Sequence, residues 1–222
     1  MSSKSSITLY HYLHCPFCIR VRLVCGLLGI EYNSEVLPYS DEESPIKLTG
    51  KKMAPILQKY DGTFMNESLD IISYLDTAGT LKVHGTNAES TLQEINEWIG
   101  KISKPLFNLL MPYYLNNIEF SDQDRLYFQR KKEIKRGPFR ELAKNRNQFI
   151  QEVNEYLMGI KNHFQPYYKS SDIQLHDILL TSHLWGLYLA YDYRVPEWLH
   201  QYLQLVSHTC HFSYDWDWWK NH

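Results

Sequence analysis

Cys15-Pro16-Phe17-Cys18 stands between a short apolar run, Ile7-Thr8-Leu9-Tyr10, and a segment with helical patterning from Ile19 to Leu28. The run reads as a strand, so the two cysteines fall at a strand-to-helix junction. Pro16 suits the first helical turn, where the missing N–H costs nothing. Cys15 then occupies the cap and Cys18 lies about one turn inside. Unpaired amides and the dipole at that end favour an anion, which lowers the thiol pKa of Cys15. Cysteines placed this way titrate at roughly 3.5–7.5 instead of about 8.5.

Two other uses of such a pair, a zinc site and a structural disulfide, compete on the residues. A zinc site needs two further ligands at workable spacing. The nearest candidates are His11, His14 and Cys25, and Cys25 shares a helical face with Val21 and Leu28, so it reads as a small core residue. A structural disulfide fits poorly between cysteines this close, in a chain whose first residues carry no secretory pattern. Reversible dithiol chemistry is the reading that uses both cysteines.

The composition permits this and narrows the rest. At 222 residues the chain can bury a substantial core, and 44% hydrophobic with 22% charged residues is ordinary for a globular protein. A formal net charge of −2 supplies no field toward nucleic acid or membrane, and neither is expected as a partner. Met1-Ser2-Ser3-Lys4-Ser5-Ser6 has no apolar signal core, and four cysteines do not make a disulfide scaffold. A cytoplasmic setting is expected.

Outward from the dithiol, the patterning changes near Thr80. Before it, the chain predicts strand Ile7–Tyr10, helix Pro16–Leu28, strand Tyr32–Leu37 and a short helix Ser44–Thr49. Strand Ala54–Gln58, a turn at Tyr60-Asp61-Gly62, strand Thr63–Met65 and helix Glu67–Thr77 follow. This is the thioredoxin-like α/β order. Beyond it every periodic segment predicts helix: Ser90–Leu115 with Pro105 kinking it, Asp122–Arg136, Phe139–Phe164, Asp172–Ala190 and Val195–Ser207. The expected organisation is an α/β domain over 1–79, a connection over 80–88 and an all-helical domain over 89–222.

Two further stretches belong to the first half. In Met53-Ala54-Pro55-Ile56-Leu57 a proline enters a strand pattern, which restricts it to an edge, a first position or a special turn. In Asn66-Glu67-Ser68 a hydroxyl meets the start of a helix. Plain capping by Asn66, with Asp70 in the first turn, is one reading. A carboxylate site on Ser68 and the free amides is the other.

Taken together these stretches resemble the glutaredoxin 2 family, bacterial glutaredoxins with the two-domain architecture of glutathione S-transferases. The likeness runs through His14-Cys15-Pro16-Phe17-Cys18, Pro55-Ile56-Leu57-Gln58-Lys59 and Met65 to Ile71. In the helical half it includes Glu97-Trp98-Ile99, Leu109-Leu110-Met111-Pro112, Tyr127-Phe128 and Asp172-Ile173-Gln174-Leu175. The resemblance implies a thioredoxin-like domain followed by a helical transferase-like domain. It further implies a glutathione-dependent oxidoreductase with Cys15 as nucleophile and Cys18 as resolving thiol. On the same basis Phe17, a cis Ala54–Pro55 pair, Glu67 and Ser68 would bind glutathione, with Ser68 taking the γ-glutamyl carboxylate and Glu67 the amine side. Glutathione would be a co-substrate with no bound cofactor or metal. The partners would be disulfide-containing or glutathionylated proteins, and the chain a monomer. A cysteine-type glutathione transferase or dehydroascorbate reductase shares both domains but generally lacks the second cysteine. A non-catalytic transferase-like binding module is the alternative outside the enzymes.

Departures from the family pattern fall on Phe17, where tyrosine is common, and on the helical domain's Ser/Thr-x-x-Asp cap. Reading Asp172 as its acid puts Lys169 at the cap, with Ser170 or Ser171 as substitutes. Arg125 to Arg146 holds nine Lys and Arg against Glu133 and Glu141. This stretch reads as a solvated helical face, or, through Arg130, Lys131 or Lys132, as an attractor for anionic glutathione. His208-x-Cys210-His211 is read as part of a packed tail, not as metal ligands, with Trp216, Trp218 and Trp219 folding onto the body.

Overall fold

The computed structural model describes residues 6–81 and 88–220. Of the connection expected at 80–88, residues 82–87 lie outside the described residues. The chain divides into two compact units. One holds the residues up to Thr80 together with Ile118–Asp124 and the chain from Ser207 onward; the other holds Leu81–Asn117 and Arg125–Val206.

In the first unit β1 (Ile7–His11), α1 (Pro16–Leu27), β2 (Tyr32–Val36), α2 (Glu43–Thr49), β3 (Ile56–Gln58), β4 (Phe64–Asn66) and α3 (Ser68–Leu75) follow in the expected order. The sheet order is β2-β1-β3-β4. β1 and β2 are parallel, joined through α1 as a parallel crossover requires, while β3 pairs antiparallel with both β1 and β4. Ile7, Leu9 and His11 alternate into the core, and α1 packs against α3. Nine of the twelve residues of α1 are buried, Arg20 and Arg22 among them. β3 begins two residues later than expected, after a cis Ala54–Pro55 bond, and Gln165–Pro166 is also cis.

The C-terminal segment reaches this unit through a charge, not through its tryptophans. α10 is a single turn, Trp216–Trp219, in which Trp216 and Trp219 are exposed and Asp217 is buried. Asp217 Oδ2 lies 2.6 Å from Arg22 Nε and accepts a 2.8 Å bond from Tyr32 Oη. Arg22 Nη2 donates to the carbonyls of Ser213 and Tyr214 at 2.9 and 2.7 Å. The expectation that Trp216 and Trp219 pack onto the body is therefore corrected. A buried arginine claims the one carboxylate of that turn and leaves the opposite face in water.

In the second unit α4 (Ala88–Tyr114) runs through Pro105 and Pro112 and packs on α6 (Phe139–Lys144), α7 (Arg146–Ile160) and α8 (Leu175–Leu184). α5 (Asp122–Arg136) begins in the first unit and α9 (Glu197–Thr209) ends there. The single helix expected over Phe139–Phe164 is broken at Asn145, which sits at φ −92, ψ 10. Its amide divides between the carbonyls of Glu141 and Leu142, and its Nδ2 donates to Glu141 O at 3.0 Å. A side chain that competes for backbone carbonyls ends one helix and opens the next.

The helix cap also lies elsewhere than Asp172 suggested. Gln174 is the cap of α8, and Asp177 completes a capping box with it, accepting from Gln174 N at 2.9 Å. Asp177 is buried and also accepts from Tyr168 N and Tyr202 Oη. Asp172 is exposed and takes part in a local turn with Ser170. The basic stretch is only partly a free surface. Arg130 and Lys131 are exposed, whereas Arg136 donates to Asn108 Oδ1 at 2.9 Å and Arg146 pairs with Asp192 at 2.7 Å. Among the described residues no helix is long and apolar enough to cross a membrane.

Candidate active site

The sheet register brings three separated motifs to one end. Tyr10 near the end of β1 pairs with Ile56 at the start of β3, and Ile56 pairs with Asn66 at the end of β4. The chain leaves β1 toward Cys15, enters β3 from Ala54–Pro55 and leaves β4 into Glu67–Ser68. Cys15, Pro55 and Ser68 thus border the same edge of the sheet.

Cys15 caps α1 in an extended conformation, φ −78 and ψ 121, with Pro16 following it in the first turn. Its carbonyl accepts the amides of Cys18 and Ile19, both at 2.9 Å. The two thiols meet different environments. Cys15 is partly accessible, and Cys18 is completely buried. A hydrogen bond from the Cys18 thiol draws the Cys15 pKa down to about 6, against the opposing effect of burial. His14 and the amides of Cys18 and Phe17 add to the lowering. Burial and the neighbouring Cys15 push Cys18 well above the ordinary thiol range. One sulfur is held as thiolate and the other as thiol donor, which is the division of labour that disulfide exchange needs.

Phe17 projects outward, 48% exposed. Arg20, which sequence reasoning did not single out, lies behind it, its guanidinium carbon 4.8 Å from the ring centroid. Arg20 is buried, and Nη1 donates to Ser68 Oγ at 3.4 Å. Burial lowers its pKa to about 10, while Cys15 and Cys18 raise it, so it keeps its charge at neutral pH. The available signal was its position two residues past the dithiol on a face that α1 buries.

Ser68 opens α3 and is itself buried. The cap is Glu67, at φ 73 and ψ 103, with no side-chain cap bond, so the reading of Asn66 as a plain cap is corrected: Asn66 is the last residue of β4. A non-glycine residue held at positive φ costs about 1–3 kcal/mol and is typical of positions where geometry serves a site. The first amides of α3 have no acceptor within the helix and lie beside a hydroxyl and a buried cation, an arrangement suited to a carboxylate.

The other candidate ligands are accounted for individually. His11 is fully buried, its Nε2 2.8 Å from Ser34 Oγ, and burial first, then Arg22, lowers its pKa to about 3. Cys25 is buried in α1, and burial pushes its thiol up to about 12. Cys210 is buried while His208 and His211 are exposed. Among the described residues no group of three or more His, Cys, Asp or Glu is arranged to hold a metal ion. A second residue missed in the sequence is Glu119, bonded through Oε1 to Nδ1 of His14, the residue before Cys15. A separation of 105 positions left no local signal for it.

Comparisons with known proteins bear on the fold and the family. Residues 9–80 match the family model for the glutathione S-transferase N-terminal domain, and residues 94–213 match that for the glutaredoxin 2 C-terminal domain. Glutaredoxin 2 of Escherichia coli K12 is 35% identical over 156 residues, covering 68% of this chain and 71% of that protein. The crystal structure of glutaredoxin 2 from Salmonella typhimurium, in complex with glutathione, superposes with a TM-score of 0.83 at 30% identity over 94% of this chain and 96% of that one. A glutathione transferase of Phanerochaete chrysosporium shares the fold, with a TM-score of 0.78 at 15% identity over 95% and 99% of the two chains. With both halves matched in order, and the helical half by a model particular to these proteins, the chain belongs to the glutaredoxin 2 family.

Proposed function

We propose that this protein is a glutathione-dependent thiol–disulfide oxidoreductase whose nucleophile is Cys15 and whose resolving thiol is Cys18. The observation that carries the assignment is the asymmetry of the pair: a partly accessible sulfur with a pKa of about 6 beside a fully buried one shifted upward. In the first step the Cys15 thiolate attacks the glutathione sulfur of a mixed disulfide. A Cys15–glutathione bond forms, the substrate's S–S bond breaks, and the substrate leaves as a thiolate that takes a proton from water. A second glutathione thiolate then attacks the glutathione sulfur on Cys15, giving glutathione disulfide and restoring the Cys15 thiolate. Alternatively Cys18 attacks Cys15, forming the Cys15–Cys18 disulfide and releasing glutathione. Glutaredoxin dithiols have potentials of roughly −200 to −230 mV, close to the glutathione pool, so glutathione suffices as reductant.

Glutathione is held, on this reading, by the edge that the sheet register assembles. The Ser68 hydroxyl and amide receive the γ-glutamyl carboxylate, with the Arg20 charge behind them, and Glu67 faces the amine. The backbone of Ala54, ahead of Pro55, pairs with the cysteinyl peptide, and Phe17 flanks the sulfur. The Salmonella relative's complex with glutathione supports this use of the fold. Residues 1–79 act as the redox domain and 89–222 as a helical domain, a division supported by the family matches over 9–80 and 94–213. Glutathione is the co-substrate and no bound cofactor is required. Glutathionylated and disulfide-containing proteins are the partners, met by a monomer in the cytoplasm.

The test is glutathione-coupled reduction of hydroxyethyl disulfide, with glutathione reductase and NADPH, on wild type, Cys15→Ser and Cys18→Ser. Turnover is expected in wild type, lost in Cys15→Ser and kept for mixed-disulfide reduction in Cys18→Ser. Equal loss in both variants would overturn the assigned roles. Conjugation of chlorodinitrobenzene without disulfide reduction would favour a transferase, and no turnover of any kind a binding module.

A further inference from the structure

The dithiol is preceded by a buried hydrogen-bonded pair, His14 and Glu119, that the exchange steps above do not use. His14 Nδ1 is bonded to Glu119 Oε1, and the same oxygen accepts the His14 backbone amide at 3.4 Å. Glu119 belongs to the Ile118–Asp124 segment, which the first unit includes although it lies far along the chain. Asp124 anchors the other end of that segment by accepting the Ser40 amide at 2.7 Å.

Both side chains are nearly sealed from water, 6% exposed for His14 and 1% for Glu119. The wall around them is aromatic. His14 stacks on Tyr12 with centroids 5.8 Å apart, lies 5.5 Å from Tyr39 and meets Phe120 edge-on at 5.0 Å. A buried carboxylate in such surroundings is costly without partners, and Glu119 directs one oxygen at two groups of the same residue, the backbone amide and the ring of His14. The His14 ring is thereby fixed in place by a side chain from a remote segment.

We propose that Glu119 is a positioning residue of the active site, fixing the imidazole of His14, the residue that precedes Cys15. The proposal rests on the reading of Cys15 as nucleophile. It makes the thiolate depend on a carboxylate supplied by a remote segment, so the nucleophile is fully activated only when Ile118–Asp124 is docked. The direction in which His14 acts on Cys15 agrees with this. The other titratable groups facing the pair are Tyr12, whose pKa burial raises, Tyr39, and Asp215, raised first by burial, eased by Arg22 and raised further by Glu119. Lys52 stands 5.4 Å over the Tyr39 ring.

The experiment is a pH titration of the thiolate ultraviolet absorbance of the reduced full chain, with hydroxyethyl disulfide turnover measured across the same range. Glu119→Gln keeps the shape and removes the charge. The Cys15 inflection is expected to rise by about one pH unit, and turnover below it to fall about tenfold and recover at alkaline pH. His14→Gln is expected to give the same rise, and the double variant no further one. A low wild-type inflection unchanged in Glu119→Gln would overturn this inference and leave Cys15 as nucleophile. An ordinary wild-type inflection without turnover would overturn both. If Glu119→Gln does not fold, His14→Gln decides alone, and an inflection equal to that of wild type refutes the proposal.

Discussion

A thiol held as thiolate stabilises the folded protein in a pH-dependent way, and this tests the Cys15 environment without any substrate. The folded-state pKa is about 6, whereas an unfolded cysteine titrates at about 8.5. Because the folded value is the lower one, the contribution is fully present above about pH 8.5, declines as pH falls, and is gone below about pH 6. Each pH unit across that window is worth about 1.4 kcal/mol, so the whole span amounts to about 3 kcal/mol. Cys18 is shifted upward and stays protonated in the folded chain, so it opposes the gain slightly near pH 9, an effect that both proteins share and that cancels in their difference. Cys15→Ser removes the titrating group and little volume. The measurement is urea unfolding of both proteins under reductant, from pH 5.5 to 9. Wild type should gain on the variant by about 3 kcal/mol across the range, with most of the gain between pH 6 and 8.5. The oxidised Cys15–Cys18 form, which has no thiolate, should show none of this gain. A stability difference that does not change with pH would refute the reasoning, because no geometry that selectively stabilises the thiolate could leave it flat.

Three further outcomes follow from local geometry. In Gly26→Ala the new Cβ would lie 1.9 Å from the Cys210 carbonyl oxygen, a backbone atom that cannot swing aside, so a loss of at least about 3 kcal/mol is expected in thermal or urea unfolding. Asp217→Asn leaves Arg22 buried without its carboxylate and should cost about 3 kcal/mol, with faster proteolysis of the C-terminal segment as a second readout. Glu67→Gly releases a residue held at φ 73 and should stabilise the fold by about 1 kcal/mol while raising the KM for glutathione; unchanged KM would remove Glu67 from the binding site.

What could be read in the sequence and what could not divide along a physical line. The dithiol, the proline before β3 and the Glu67-Ser68 helix start are local devices. Each is a cap, a turn or a strand entry whose backbone requirements are written in four or five consecutive residues, and the order of strands and helices carries them to one edge of the sheet. The helix boundaries that differ from expectation depend on choices among equivalent local partners. The Asn145 side chain shares the Glu141 carbonyl with its own amide, and Gln174 with Asp177 forms the cap expected of Asp172 with Ser170 or Ser171. In the tail charge outranks apolar mass: Arg22, once buried in α1, makes Asp217 the most valuable residue of its turn, and Trp216 and Trp219 follow it outward. Arg20 and Glu119 are illegible in the sequence for a related reason. A charged residue inside a helix or loop carries no pattern of its own, and its meaning comes from what is buried beside it. Around Cys15 the chain has buried Arg20 toward Ser68 and His14 with Glu119. On the roles proposed above, the local motif specifies which sulfur reacts, and these buried groups set how readily it ionises and which end of glutathione it meets.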